Sequence, residues 1–325
     1  MSKFAQLGIK PEYIKSINEL GIFEPTPVQE KTIPFLIKNT SDIVVQAQTG
    51  TGKTAAFGLP ILHHINPNNE KVQALILTPT RELGQQIAKQ LFKFTKYNNH
   101  KIYTEAVYGG EHISKQLDRL KRTTHVLVAT PGRLIDLLER KVVSLESVKT
   151  VVLDEADEML NMGFKKELES ILSQISAKKQ TWLFSATIPK DVKAIIHNYL
   201  SPEAENIQIS KDEIVNRNIE HQFVVVREHD KLDMLIQFLK SQGHARGIIF
   251  CTTKKTAVTL AKQLKAKNYD CDALQGDMHQ KDRDKVLRAI KNRSLKILVS
   301  TDVSARGIDI EGLNYVVHYL SLIHI

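Results

Sequence analysis

Short runs of aliphatic and β-branched residues punctuate the front of the chain: DIVVQ (42–46), ALILT (74–78), HVLVA (125–129), TVVLD (150–154) and TWLFS (181–185). Each is apolar on successive residues instead of alternating, the mark of a strand covered on both faces. Longer stretches with helical spacing separate them, so the pattern predicts a parallel sheet between two helical layers, an α/β doubly wound domain. The rhythm pauses over SPEAENIQISKDEIVNRN (201–218), polar and opened by Ser-Pro, which reads as a crossing between domains. It resumes with HQFVVV (221–226), RGIIFC (246–251), CDAL (271–274), LKILVS (295–300) and NYVVHY (314–319), which predict a second, smaller unit of the same class. The expected layout is a first domain over 1–205, a linker over 206–218, a partial second domain over 219–319 and a non-native tail over 320–325.

Composition agrees with two globular cores: 325 residues, 42% hydrophobic and 25% charged. A net charge of +9 points to a polyanionic partner, with a mildly basic soluble protein as the plain alternative. The basic excess is denser late in the chain, 18 Lys and Arg against 12 Asp and Glu over 217–325, compared with 27 against 24 before it. Cys251 and Cys271 lack metal-ligand or redox spacing, so they are read as core residues in a reducing compartment. No run approaches the roughly 18–20 apolar residues that span a bilayer, and Met1–Lys10 lacks the apolar core of a signal peptide. A cytoplasmic protein without a membrane partner is expected.

Two motifs carry chemistry. In IVVQAQTGTGKT (43–54) a glycine-rich turn follows a strand and precedes a helix. Thr49, Gly50, Thr51 and Gly52 can curl backbone amides around phosphates, Lys53 can reach the β and γ phosphates, and the Thr54 hydroxyl can hold Mg2+. The strict phosphate-loop pattern begins with Gly; here that position is Ala47. In VVLDEADEML (151–160) a strand ends in Asp154-Glu155-Ala156-Asp157, at the edge where doubly wound sheets bind ligands. Asp154 is suited to hold Mg2+, partly through water, and Glu155 to orient or deprotonate an attacking water. Acidic residues there also serve as helix N-caps, which is the competing reading. Together the motifs predict an NTPase. The pair His63-His64 has no partner at metal spacing and is read as helix surface.

PTPVQ (25–29), AQTGTGKT (47–54), PTRELGQQ (79–86), GG (109–110), TPGR (130–133), DEAD (154–157), SAT (185–187), IIFC (248–251), QGDMHQKDR (275–283) and STDVSARGID (300–309) stand in the order of the DEAD-box ATP-dependent RNA helicases. The chain resembles that family over residues 4–319. The resemblance implies two RecA-like domains closing over ATP and single-stranded RNA, with the second incomplete here. It implies that Gln29 reads the adenine edge and that Phe4, 17 residues before Gly21, stacks on the base, a staple onto the core being the alternative for Phe4. Ser185 and Thr187 resemble the element whose hydroxyls bond the carboxylates of the DEAD segment, Asp157 among them, and so couple hydrolysis to domain arrangement.

Arg81, Gly109, Gly110, Thr130 and Arg133 resemble RNA-backbone contacts of the first domain, and Arg283 and Thr301 those of the second. Gly307 and Asp309 resemble nucleotide contacts, with Asp302 and Arg306 ordering their loop. Gln275 stands where many relatives have His and Gly84 where many have Ala. The implied activity is ATP-dependent local separation of short RNA duplexes by a monomer, with backbone contacts and little sequence specificity. A DNA-directed relative and a non-enzymatic ATP-dependent clamp are the rivals.

The family's arginine-rich element, H-R-x-G-R-x-x-R, has no match after Tyr319, where LSLIHI stands instead. One encoding of LSLIHI resembles a transposon-derived adapter end. The expectation is therefore a truncated chain with ATP bound but hydrolysis and unwinding impaired, and with protein partners acting through a tail that lies beyond it.

Overall fold

In the computed structural model, residues 2–175, 179–209, 219–301, 305, 308 and 310–319 are described. The chain divides into two compact units, 1–216 and 217–325.

Unit 1 opens with three helices, Lys3–Gln6 (α1), Pro11–Glu19 (α2) and Pro27–Lys38 (α3). Then strands and helices alternate: Ile43–Gln46 (β1), Lys53–His64 (α4), Ala74–Leu77 (β2), Arg81–Phe94 (α5), Thr104–Val107 (β3), Ile113–Leu120 (α6), Val126–Ala129 (β4) and Pro131–Glu139 (α7). Thr150–Asp154 (β5), Ala156–Asn161 (α8), Lys165–Ser173 (α9), Gln180–Ser185 (β6), Lys190–Tyr199 (α10) and Glu205–Gln208 (β7) complete it. The strands lie in the order β3-β4-β2-β5-β6-β1-β7, all parallel. Successive residues feed opposite faces, as the period of two requires. Trp182 and Phe184 of β6 enter the core layer shared with Ile43 and Val45 of β1, while Leu183 and Val44 enter the layer on the other side. Continuous apolar runs are therefore read correctly as doubly covered strands.

Two strands escape that signal. TEAV of β3 is short and mixed. ENIQ of β7 is a polar edge strand, paired only with β1, and edge strands need no apolar second face. The reading of 206–218 as linker is corrected at its start, because 205–208 belongs to the sheet; residues 210–218 lie outside the described residues.

Unit 2 contains Lys231–Gln242 (α11), Gly247–Cys251 (β8), Lys254–Ala266 (α12), Cys271–Leu274 (β9), Gln280–Lys291 (α13), Ile297–Thr301 (β10) and Tyr315–Tyr319 (β11). Its parallel sheet runs β11-β8-β10-β9. Cys251 and Cys271 are buried in this core, and burial pushes both thiols up to about 11. The strand expected over 221–226 does not form. No described strand pairs with that segment, and without a ladder its backbone groups turn to water. Phe223 and Val225 are 87% and 88% exposed. The tail 320–325 lies outside the described residues.

Candidate nucleotide and RNA sites of unit 1

The sheet order brings the ends of β5, β6 and β1 side by side, and these three ends carry the residues expected to meet the nucleotide. After β1 the chain turns through Gln48, Thr49 and Gly50, all exposed. Gly50 has φ +79° and Gly52 φ +89°, left-handed values that favour glycine. A Cβ on Gly50 would meet nothing within 4 Å, so the loop leaves open space where a phosphate needs it; one on Gly52 would collide with the Gln29 amide. Ala47, in place of glycine, is buried and donates its N–H to the Ser185 carbonyl at 3.0 Å, and its φ is not positive, so nothing there demands glycine. The Thr51 hydroxyl donates to the Gln48 carbonyl at 2.8 Å. Lys53, the first residue of α4, is 7% exposed and donates its Nζ to the Ala47 carbonyl at 3.1 Å.

At the end of β5, Asp154 is 3% exposed, and one of its carboxylate oxygens has no hydrogen-bond partner among the described residues. Burial raises its pKa, partly offset by the Lys53 charge. Glu155 has φ +54°, so the chain turns sharply into α8 here. Burial first, then the Asp154 charge, pushes its carboxyl up to about 7. Asp154, at the end of β5, and Thr54, on the first turn of α4, each carry an oxygen of the kind a hard divalent cation such as Mg2+ takes.

Asp157 is held differently. Burial opposes its charge, but hydrogen bonds from Thr187, with Ser185 beside it, outweigh burial and keep its pKa low. Its Oδ2 accepts from the Thr187 N–H at 2.9 Å and the Thr187 hydroxyl at 2.7 Å. The Ser185 side chain also helps hold the Asp157 pKa down, and its hydroxyl accepts the Asp157 N–H at 3.2 Å and donates to the Thr187 carbonyl at 2.7 Å. The link between the DEAD and SAT segments thus includes a side-chain pair, a backbone N–H to the same carboxylate and a backbone N–H to a hydroxyl. Gln46, unremarked in the sequence, adds a 3.3 Å bond from its Nε2 to the Ala186 carbonyl.

Gln29 is 3% exposed, accepts from the Thr26 N–H at 3.1 Å and donates to the Gly52 carbonyl at 3.0 Å. Its amide joins the PTPVQ turn to the phosphate loop and keeps one further N–H and one lone pair for a ligand. Phe4 is corrected: it is fully buried in the core with Ile9, Tyr13 and Ile17, because α1 folds its one large apolar side chain inward, and it has no ring face to offer a base. Phe23, six residues before Gln29, is instead 64% exposed.

The remaining strand ends, β3, β4 and β2, lie together on the other side of β5 and carry the expected RNA contacts. Thr80 caps α5 through a 3.3 Å bond from the Leu83 N–H, which sets Arg81 at the helix start, its guanidinium 4.8 Å from the centre of the Tyr108 ring. Gly109 and Gly110 are exposed just beyond β3. Thr130 is the N-cap residue just before α7, and the Nη2 of Arg133 donates to the Glu111 carbonyl at 3.1 Å. Unit 2 places Arg283 in the first turn of α13 and Thr301, buried, at the end of β10. Gly307 and Asp309, with Asp302 and Arg306, lie outside the described residues. His63 and His64 close α4, and a ring nitrogen of His64 bonds the Leu36 carbonyl at 2.8 Å.

The family model for DEAD/DEAH box helicase matches residues 26–195, and that for helicase conserved C-terminal domain matches 230–321. The chain belongs to the DEAD/DEAH box helicases. Among curated members it is 44% identical over 320 residues to the ATP-dependent RNA helicase CshA of Listeria monocytogenes, covering 98% of this chain and 61% of that protein. It is 43% identical to the DEAD-box ATP-dependent RNA helicase CshA of Geobacillus kaustophilus, covering 98% of this chain and 68% of the relative. Among solved DEAD-box structures, S. cerevisiae Dbp5 bound to RNA and ADP BeF3 is 32% identical, with a TM-score of 0.88 over 98% of this chain and 81% of that one. A DEAD box protein from the hyperthermophile Methanococcus jannaschii is 37% identical, with a TM-score of 0.61, over 97% and 84%. Both RecA-like sheets of the family are thus present in this DEAD-box chain.

Proposed function

We propose that the chain is the core of a cytoplasmic, monomeric ATP-dependent RNA helicase that grips single-stranded RNA by its backbone and separates short duplexes. The observation that carries this is the grouping of Lys53, Asp154 and Glu155 with the Asp157–Thr187 bond on three neighbouring strand ends, with Arg81, Gly109, Gly110, Thr130 and Arg133 on the next three. One sheet edge then serves both ligands. Lys53 exchanges its Ala47 carbonyl for a phosphate of ATP, and the loop amides around Gly50 take the others. Thr54 and Asp154 would hold Mg2+, which would neutralise charge at the phosphates. Glu155, near pH 7 in its titration, takes a proton from the attacking water. Asp157 stays ionised and carries a change at the phosphates to Thr187 and the SAT turn. Phe23 replaces Phe4 as the aromatic offered to the base.

RNA-stimulated ATP turnover and displacement of a short RNA strand test the reading, run beside DNA of the same sequence. RNA stimulation that is lost in Lys53→Ala is the expected result. Equal stimulation by DNA would favour the translocase reading, and nucleotide-dependent RNA binding without turnover, persisting when the chain is extended by the family's arginine-rich element, would favour a clamp.

A further inference from the structure

The two glycines expected to face RNA sit on a turn that is otherwise fully tied down, and most of the ties come from one helix face. β3 is the edge strand of its sheet, so the backbone of Tyr108, buried just past its end, has no outer strand to pair with. The Gln116 amide takes that place: its Oε1 accepts the Tyr108 N–H at 3.2 Å and its Nε2 donates to the Tyr108 carbonyl at 2.9 Å, with the side chain fully buried. Three residues on, and so on the same face of α6, Arg119 grips the other flank of the glycines. Its two terminal nitrogens donate to both carboxylate oxygens of Glu111 at 3.1 and 2.7 Å, and its Nε to Glu105 at 2.6 Å. The Tyr108 hydroxyl accepts from Gln85 at 2.6 Å, and its ring lies under Arg81. Gly109 and Gly110 alone between these anchors are exposed, Gly110 at φ +82° and Gly109 with nothing within 4 Å of where a Cβ would stand.

We infer that Gln116 and Arg119 are positioning residues for RNA: α6 clamps residues 108 and 111 so that the Gly109–Gly110 backbone is pre-set for phosphate contact. The inference rests on the RNA reading of that turn. Ordering it before binding removes an entropic cost that RNA would otherwise bear.

The test uses the 325-residue chain, a fluorescein-labelled oligouridylate with ADP and beryllium fluoride, and separately a fluorescent ADP without RNA. Gln116→Leu and Arg119→Met are each expected to weaken RNA binding by about tenfold, the size of one or two lost buried hydrogen bonds, while nucleotide affinity moves less than about twofold. Lys121→Met removes the same charge from the end of the helix without touching the turn, and its smaller loss sets the purely electrostatic share. Gly109→Val obstructs the turn directly, and adding Gln116→Leu to it should cost little more, because both act through one contact. Full additivity, or a folded Arg119→Met that binds RNA no worse than Lys121→Met, would overturn the positioning role while leaving the turn's own role standing. Unchanged RNA binding in Gly109→Val would instead overturn the RNA reading of the turn, and the positioning role with it. Gln116→Leu removes a buried pairing and can fail to fold; Arg119, a third exposed, keeps the question decidable.

Discussion

Glu155 combines two consequences of one environment. Burial and the neighbouring Asp154 raise its carboxyl from an ordinary 4.5 to about 7. A general base works only when ionised, so RNA-stimulated turnover should climb from pH 6 to 8 with an inflection near 7, and Glu155→Gln should abolish it. The sign for stability is the reverse. A raised acid favours the neutral form in the fold, so this residue's contribution is full below its unfolded pKa and is lost as pH rises through about 7. Glu155→Gln cannot ionise and escapes that loss. Its melting midpoint should match the parent at pH 5 and exceed it at pH 8, by an amount on the order of 3 kcal/mol in free energy. Scanning calorimetry at the two pH values, without nucleotide, checks this; a variant less stable at pH 8 would show that the buried charge is not strained. Asp157, a few residues along, shows that proximity in sequence does not fix titration: two donors from Thr187 reverse the effect of the same burial.

At the level of elements, close packing ranks substitutions that look alike. Gly247 begins β8, and a Cβ there would overlap the ring of Tyr315 on β11, which is also edge-on to Phe238 with centroids 5.3 Å apart. A ring held on two sides cannot retreat, so Gly247→Ala should cost about 1–3 kcal/mol in urea unfolding of unit 2. At Gly58 of α4 a Cβ would crowd a terminal methyl of Leu91 on α5, at 2.6 Å, and meet the Phe94 ring at an ordinary 3.7 Å; a flexible methyl tip can turn aside. There Ala also improves helix propensity, so Gly58→Ala should fall within about 1 kcal/mol of the parent. The same distinction explains what the sequence made legible. Strands covered on both faces announced themselves as apolar runs, whereas β7 and β3, at the sheet edges, did not. The placement of Lys53 and Asp154 at neighbouring strand ends was readable because the spacing of their motifs is set by the strand-to-loop turn. Phe4 was misjudged because an aromatic in a short helix looks the same whether it turns inward or outward. The signal for Gln116 was available: with Ile113, Leu117 and Leu120 it falls on the apolar face of α6, where an amide must have found a buried partner.

For the molecule as a whole, the segment that broke its expected pattern is the one that governs solution behaviour. Ile219, Phe223, Val224 and Val225 are 57%, 87%, 64% and 88% exposed in an extended stretch with no pairing among the described residues, and Val316 on the edge strand β11 is 51% exposed. Backbone groups free to pair and a β-branched apolar sequence together make a template for intermolecular strand addition. Net charge of +9 opposes association only over a Debye length, about 8 Å in physiological salt, so raising salt should bring aggregation on. Val225→Lys places a charge on this stretch without removing any core contact. Its melting midpoint should stay within about 0.5 kcal/mol of the parent, as for an exposed substitution, while light scattering at 0.5 M salt falls. Val45→Lys, buried completely in β1, is the opposite control and should unfold unit 1. Scattering that persists in Val225→Lys would place the sticky surface elsewhere, with Val316 on β11 the next position to charge.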